Sequence, residues 1–217
     1  MKRDERGDIK NVKDDLNEVG KKDEYGETAL MKAACSGHVE YIPFLEGEIG
    51  IQDEGGWTAL MRAAYNDQIE CISLLAKEMG MQTNDGWTAL MFAALLGHTD
   101  CVRLLLSEVG KQSTQECNDF PPGMTALMIA AYWNHHEIVQ LLLPYERGLK
   151  DSEGRMAQWY ANNSPWKKCD FPQVCELLED EDSLGKAIYR SIAHLSFSKS
   201  QWGEDYPNYQ LQGLNAF

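Results

Sequence analysis

The chain has 217 residues, of which 43% are hydrophobic and 25% are charged, and this is enough apolar material to bury the core of a folded domain. Its 34 acidic and 20 basic residues give a formal net charge of -14, which repels phosphate backbones and anionic lipid surfaces. We therefore expect neither nucleic acid nor a membrane as a partner.

The start of the sequence shows no secretion signal, because residues 1–6 are mostly charged and no apolar core of a signal peptide follows them. No run approaches the roughly 20 consecutive apolar residues that a membrane-spanning helix requires. Six cysteines, at positions 35, 71, 101, 117, 169 and 175, form no CxxC pair and no zinc-like cluster. These observations predict a soluble, cytoplasmic protein with reduced thiols.

A four-letter string, Thr-Ala-Leu-Met, recurs along the chain. Its copies begin at Thr28, Thr58, Thr88 and Thr125, so the spacings are 30, 30 and 37 residues. Each copy is followed by an alanine pair at the same phase, namely Ala33 and Ala34, Ala63 and Ala64, Ala93 and Ala94, and Ala130 and Ala131. Recurrence at a fixed period of this length indicates a stack of repeated supersecondary units.

Each unit has the pattern of two helices joined by a turn. The leucine of the string and the alanine pair share one side of a first helix, where small residues allow close approach of neighbouring helices. Glycine at Gly37 and Gly97 favours the left-handed conformation that ends a helix. A second apolar run follows, for example around Ile69 and Ile72, and a turn-rich segment such as 84–86 closes the unit.

The Gly-x-Thr-x-Leu start, the paired alanine, the Gly-His turn and the Leu-Leu ending resemble the ankyrin repeat over roughly residues 7–180. The DxxG lead-in of that family is present at 23–26, 53–56 and 151–154. The resemblance implies an all-α solenoid. The family's TPLH is replaced by TALM, so its inter-repeat histidine becomes methionine, and we expect the repeats to be held by packing more than by a polar network.

The ends of the array depart from the repeat, as expected for a solenoid, whose terminal units face solvent. We assign residues 1–22 to a polar capping half-repeat and residues 23–180 to the array, with units starting near 23, 53, 83, 120 and 151. The fifth unit is degenerate. Residues 181–217 are assigned to a C-terminal amphipathic helix, over 184–195, and a tail from 196 that either folds back on the array or contacts a partner.

The sequence contains no recognisable catalytic or metal-binding constellation. Cys35 lies three residues before His38 and Cys101 three residues after His98, but both histidines recur with the repeat and no third orienting group is recognisable. Adjacent helical residues such as His135 and His136 diverge by about 100 degrees and do not chelate one ion. We therefore predict no enzymatic activity, no catalytic residues, no metal and no cofactor.

The positions just before the threonine and along the exposed side of the first helix are apolar or aromatic in the middle units. The nine candidate partner-binding residues are Trp57, Tyr65, Trp87, Phe92, Leu95, Leu96, Met124, Tyr132 and Trp133. If they line the concave face of the array, they form the kind of aromatic patch that marks protein-binding sites. The alternative is that the recurring tryptophans pack as core, and the sequence leaves both interpretations open.

The predicted function is recognition of another protein, with the chain acting as a monomeric scaffold or adaptor through the concave face. The alternative is a regulatory or inhibitory subunit of an enzyme such as a kinase, bound through the tail after Ser196. These hypotheses differ in one respect that can be measured, because deletion of the tail abolishes binding in the second and not in the first.

Overall fold

The computed structural model describes residues 20–117, 120–165 and 173–178. An inner helix and an outer segment alternate along the chain. The inner helices are α1 (Ala29–Ser36), α2 (Ala59–Tyr65), α4 (Ala89–Leu96), α6 (Ala126–Tyr132) and α8 (Ala157–Asn163). The outer segments are a 3-10 helix (Val39–Glu48), α3 (Ile69–Leu74), α5 (Thr99–Leu104), α7 (His136–Glu146) and α9 (Gln173–Leu178).

Two of the outer helices are only six residues long. Helices α3 and α5 give way to single 3-10 turns at Ala76–Glu78 and Leu106–Glu108. Within the described residues there is no strand, only an isolated bridge between Cys117 and Phe120. The prediction of an all-α helical-repeat solenoid is therefore confirmed.

The threonine of the repeated string starts each inner helix. Its hydroxyl accepts a hydrogen bond from the backbone N–H three residues later, at 3.4 Å for Thr28 and 3.3 Å for Thr58, Thr88 and Thr125. This is the N-cap arrangement, which satisfies one of the four unpaired donors at a helix start. In the degenerate fifth unit Met156 takes the position and offers no such bond.

The turn after each inner helix requires a left-handed backbone. Gly37 and Gly97 adopt φ of 73° and 81° there, as the sequence predicts. Asp67 and Asn134 occupy the same turn in the second and fourth units with φ of 57° and 62°. Aspartate and asparagine tolerate this region better than other non-glycine residues, so the turn is conserved in shape while its sequence changes.

A continuous core runs through the stack along the inner helices. The leucine, the methionine and the alanine pair of each TALM unit are buried, and inner helices of successive units pack directly on each other. The buried outer-segment residues Ile42, Ile72, Val102 and Val139 extend the core on the other side. Alanine at the contact positions is what allows the close approach, since a larger side chain would separate the helices.

One glutamate per unit links neighbouring repeats. Glu78 accepts the N–H of Leu60 at the start of its own inner helix (2.7 Å) and the N–H of Gly50 in the preceding unit (2.9 Å). Glu108 does the same with Leu90 (2.8 Å) and Gly80 (2.7 Å). The whole ladder, buried throughout, consists of Glu48, Glu78, Glu108 and Glu146.

This glutamate ladder is a polar link between repeats that the sequence analysis did not predict. The methionine in place of the family's histidine is buried and makes no polar link, but the helix-start donors still require an acceptor, and the glutamate supplies it. A second ladder adds to it, because Gln52 and Gln82 each donate to a carbonyl of their own hairpin and to one of the next unit.

Several predicted segments lie outside the described residues. They are most of the N-terminal capping half-repeat (1–19), the C-terminal helix expected over 184–195 and the tail from 196. Of the helices in the described part of the chain, none has the length and apolar character needed to cross a membrane.

Candidate protein-binding surface

The exposed side of the inner helices carries a band of aromatic and apolar side chains that crosses several repeats. We call the side chains of Trp57, Tyr65, Leu95, Leu96, Tyr132 and Trp133 the inner-helix surface; they are half-buried or exposed. Tyr65 and Leu96 are the most open members, at 42% and 40% exposure. These two protrude where α2 and α4 end, beside the turns that lead to the outer helices.

A first group of rings joins the second and third units. The indole of Trp57 stacks on the ring of Phe92 with centroids 4.0 Å apart, and Tyr65 contacts Trp57 edge-on at 5.7 Å. Phe92 also stacks on Trp87, at 5.3 Å. Ring pairs of this kind add about 0.5–1.5 kcal/mol to simple burial, so the group fixes the relative position of the two units as well as their surface.

A second group of rings joins the fourth and fifth units. Tyr132 contacts Phe120 at 5.0 Å and Trp133 at 5.6 Å, and Tyr160 of the fifth unit lies 6.5 Å from Tyr132. Phe120 comes from the insertion that lengthens the fourth unit. Phe120 and Tyr160 are buried, so these ring contacts continue the aromatic core, rather than the inner-helix surface, into the degenerate repeat.

The structure divides the nine candidate residues in two. The expectation of exposure fails for Trp87 (3% exposed), Phe92 (7%) and Met124 (0%), which belong to the core. Phe92 loses its exposure between two indoles, and Trp87 is covered in turn by Phe92. Met124 is buried at the base of a hairpin. Its N–H donates to the Ser113 hydroxyl, and its carbonyl accepts the N–H of Ser113.

The sequence leaves open whether the recurring tryptophans are core or surface residues, and the structure gives a different result for Trp57 and for Trp87. They occupy equivalent positions, yet Trp87 packs as core and Trp57 remains half-buried on the surface. Trp57 also has a polar neighbour, because the Arg62 guanidinium lies 4.7 Å from its ring centroid. Core packing is thus the right interpretation for Trp87, and Trp57 stays a candidate for binding.

Two cations lie on the inner helices of the described repeats, and both are neutralised locally. Arg62 contacts the carboxylates of Glu27 (2.6 Å) and Asp53 (2.8 Å), and Lys32 lies 3.1 Å from Asp23. In the fifth unit Arg155 contacts Asp151 and Glu153, at 2.8 Å each, and lies over the Trp159 ring. These three positive charges are therefore already paired within the chain.

Sequence reasoning missed the buried rings that support Tyr132, namely Phe120 from the insertion and Tyr160 from the fifth unit. Tyr160 stands four residues after Met156, as Phe92 stands four after Thr88, so alignment by phase would have found it. Its hydroxyl donates to Asp151 at 2.5 Å. Although burial acts to raise the pKa of Asp151, the bonds from Tyr160 and Arg155 lower it below the usual value. Phe120 carried no comparable periodic signal.

Cys101 and His98 do not form a nucleophile–base pair. Burial and the neighbouring carboxylates, chiefly Asp67, raise the pKa of Cys101 to about 12, and burial raises that of Cys71 to about 11. The Cys101 thiol donates a hydrogen bond to the Asp67 carboxylate at 3.2 Å, and the His98 ring is hydrogen-bonded to the carbonyl of Tyr65. A thiol held protonated in this way is not a nucleophile at neutral pH. In the described residues no three His, Cys, Asp or Glu side chains are grouped as metal ligands would be.

The family comparison agrees with this architecture. A family model for ankyrin repeats matches three times, over residues 5–84, 42–117 and 74–153, so that most of the chain is covered. The chain belongs to the ankyrin-repeat family. A search of curated proteins gave no match. Ankyrin repeats are generally modules for protein–protein interaction and are typically not enzymatic.

Proposed function

We propose that the chain is a scaffold or adaptor that binds another protein along the inner-helix surface, which is the concave face of an ankyrin array. The observation that carries the proposal is the continuity of this aromatic and aliphatic band across the second, third and fourth units. Interface energy concentrates in a few aromatic anchors, and Trp and Tyr are the residues most enriched among them. Here Trp57, Tyr65 and Tyr132 retain exposed ring surface on a rigid support.

Rigidity supports the proposal as much as composition. The glutamate ladder fixes each inner helix to the preceding unit, and the ring contacts lock Trp57 against the next one. A surface whose side chains are already ordered loses less conformational entropy when a partner binds. Exposed apolar side chains on the outer segments, such as Phe44 and Leu74, are single residues without such neighbours.

Site-specific photo-crosslinking tests the proposal. A benzophenone amino acid is placed at Tyr65 or at Leu96, and at Leu74 as a matched control of similar exposure on an outer helix. After irradiation in extract of the source cells, we expect one discrete adduct from the two inner positions and none from position 74. Equal adducts from all three positions would mean that the inner-helix surface has no special role.

The alternative function uses the same experiment with a shorter chain. If the protein is instead a regulatory or inhibitory subunit bound through the tail, a variant ending at residue 195 loses its partner. An adaptor that binds through the inner helices keeps the adduct at Tyr65 after this truncation. Loss of the adduct on truncation, with an unchanged melting temperature, would favour the regulatory-subunit hypothesis.

A further inference from the structure

A row of carboxylates borders the inner-helix surface at the end where the inner helices turn into the outer ones. The same position of the repeat, in the first turn of the outer segment, is acidic in four successive units and exposed in each: Glu40, Glu70, Asp100 and Glu137. Asp67, in the turn itself, is also exposed and stands two residues after Tyr65. We call these five residues the acidic edge.

The acidic edge is continuous from unit to unit. Thr99, next to Asp100, contacts the Glu137 carboxylate at 3.4 Å, and the Cys101 thiol donates to Asp67 of the preceding unit at 3.2 Å. The electrostatic influence of the row crosses units as well. Burial raises the pKa of the Cys71 thiol, and Glu70 and Glu40 raise it further. Burial and Asp67 raise the pKa of the Cys101 thiol, and Asp100 and Glu70 add to this. The Arg103 guanidinium, 3.8 Å from Asp100, is a largely exposed partner of weak effect.

The opposite border of the surface, formed by the hairpins, carries charges of both signs. Exposed carboxylates occur there at Glu24, Glu54, Glu116 and Glu153, the last of them paired with Arg155, and exposed lysines occur at Lys22, Lys111 and Lys150. An inner helix of eight residues, such as α4, rises about 12 Å, so a segment lying along its middle is within about a Debye length of the acidic edge at physiological salt. Lys32 and Arg62 do not offset the field of the acidic edge, since carboxylates of the chain already pair with them.

We propose that the occupant of the inner-helix surface is a cationic protein segment, with aromatic or aliphatic anchors and with lysine or arginine on the side that faces the acidic edge. This inference rests on the proposed function and names the chemistry of the partner. The anchors pack against Trp57, Tyr65 and Leu96, while the cations meet the acidic edge. Complementary charge of this kind speeds association and rejects acidic competitors.

The test uses random 16-residue peptides displayed on phage and selected on the intact chain. We expect the enriched peptides to carry a net positive charge around aromatic or aliphatic residues. The tightest is then synthesised and its Kd measured by fluorescence anisotropy. Charge reversal at the acidic edge (Glu70→Lys with Asp100→Lys) should weaken binding about tenfold, because two attractions become two repulsions at an exposed surface.

A matched variant makes the same change in net charge elsewhere. Glu46→Lys with Glu176→Lys reverses two exposed carboxylates on outer segments and should alter the Kd less than twofold. Raising the salt from 50 to 500 mM should weaken binding to the unaltered chain and remove most of the difference between the two variants. Circular dichroism melts confirm that both variants fold.

The outcomes separate this inference from the proposed function. Enrichment of neutral or acidic peptides, or equal Kd values for the two reversal variants, overturns the inference. If the selected peptides bind as tightly to a chain with Tyr65→Ala and Leu96→Ala, the inner-helix surface is not the binding site and the proposed function fails. Peptides that require Tyr65 and Leu96 but show no cationic bias contradict the partner chemistry alone.

Discussion

The glutamate ladder and the inner-helix surface are built on the same repeat, but the ladder residue is the same in every regular unit whereas the surface residues differ between units. At the ladder position every regular unit has glutamate, because every unit presents the same pair of backbone N–H groups. Seven residues after the threonine of each unit, a position on the side of the inner-helix surface varies, through Cys35, Tyr65, Leu95 and Tyr132. Backbone donors constrain the first position, whereas only neighbours and a partner constrain the second.

The largest expected effect separates the two tryptophans that share one repeat position. Trp87→Ala should lower the free energy of unfolding by about 3–5 kcal/mol, since it removes a buried aromatic side chain from the core. Trp57→Ala should cost less, about 1–2 kcal/mol, because its ring is half-buried. Urea unfolding followed by far-ultraviolet circular dichroism measures both. Equal losses would contradict the division between core and surface.

The next effect concerns the ladder itself. Glu108→Gln should destabilise the chain by about 2–3 kcal/mol, because the amide keeps one acceptor and turns an N–H towards a second backbone donor, either Leu90 or Gly80. Glu70→Gln, the same change on an exposed side chain, should stay within about 0.5 kcal/mol. A fall in the urea midpoint of the first variant alone supports the ladder; similar midpoints would mean that packing dominates after all.

A third variant probes the close approach of the inner helices. Ala94 is fully buried where α4 meets its neighbours, so Ala94→Leu should cost roughly 1–3 kcal/mol through overpacking. Ser73→Leu adds a leucine to the exposed side of an outer helix and should change the thermal midpoint little. If Ala94→Leu melts with the unaltered protein, the alanine pairs do not set the spacing of the repeats.

The smallest expected effect is on pH dependence. Burial lowers the pKa of His135, whose ring is bonded to the Leu95 carbonyl, and nearby His98 acts in the same direction. A histidine whose pKa is lower in the folded than in the unfolded chain favours the neutral form, so its contribution to stability is full above about pH 6.5 and is lost as the pH falls below it.

His135→Gln should remove this part of the acid sensitivity, because glutamine does not titrate and Gln68 already occupies the equivalent position of the second unit. The comparison is the change in urea midpoint between pH 7.5 and pH 5.5 for the two chains. The unaltered chain should lose more stability over that interval. An identical loss in both chains would exclude His135 as a source of the pH dependence.

The sequence by itself determined the repeat, its phase and the all-α architecture. The spacing of Thr28, Thr58 and Thr88, the alanine pairs and the glycine turns are local signals, since each depends on helix capping or on contact between adjacent turns. The recurrence of the ladder glutamates is also visible in the sequence. Glu48, Glu78 and Glu108 each stand 20 residues after the threonine of their unit, but no local rule connects a carboxylate to a donor that far away.

Only the tertiary structure decided which aromatic residues are core and which are surface. Trp57 and Trp87 have the same local sequence, Gly-Trp-Thr-Ala-Leu-Met, but within their own units Arg62 lies over Trp57 whereas Phe92 stacks on Trp87. Phe92 also stacks on Trp57, yet only Trp87 is buried. The same holds for Tyr132, whose contacts with Phe120 and Tyr160 join residues 12 and 28 positions away. Burial depends on contacts between units, and periodicity within a unit carries no information about them.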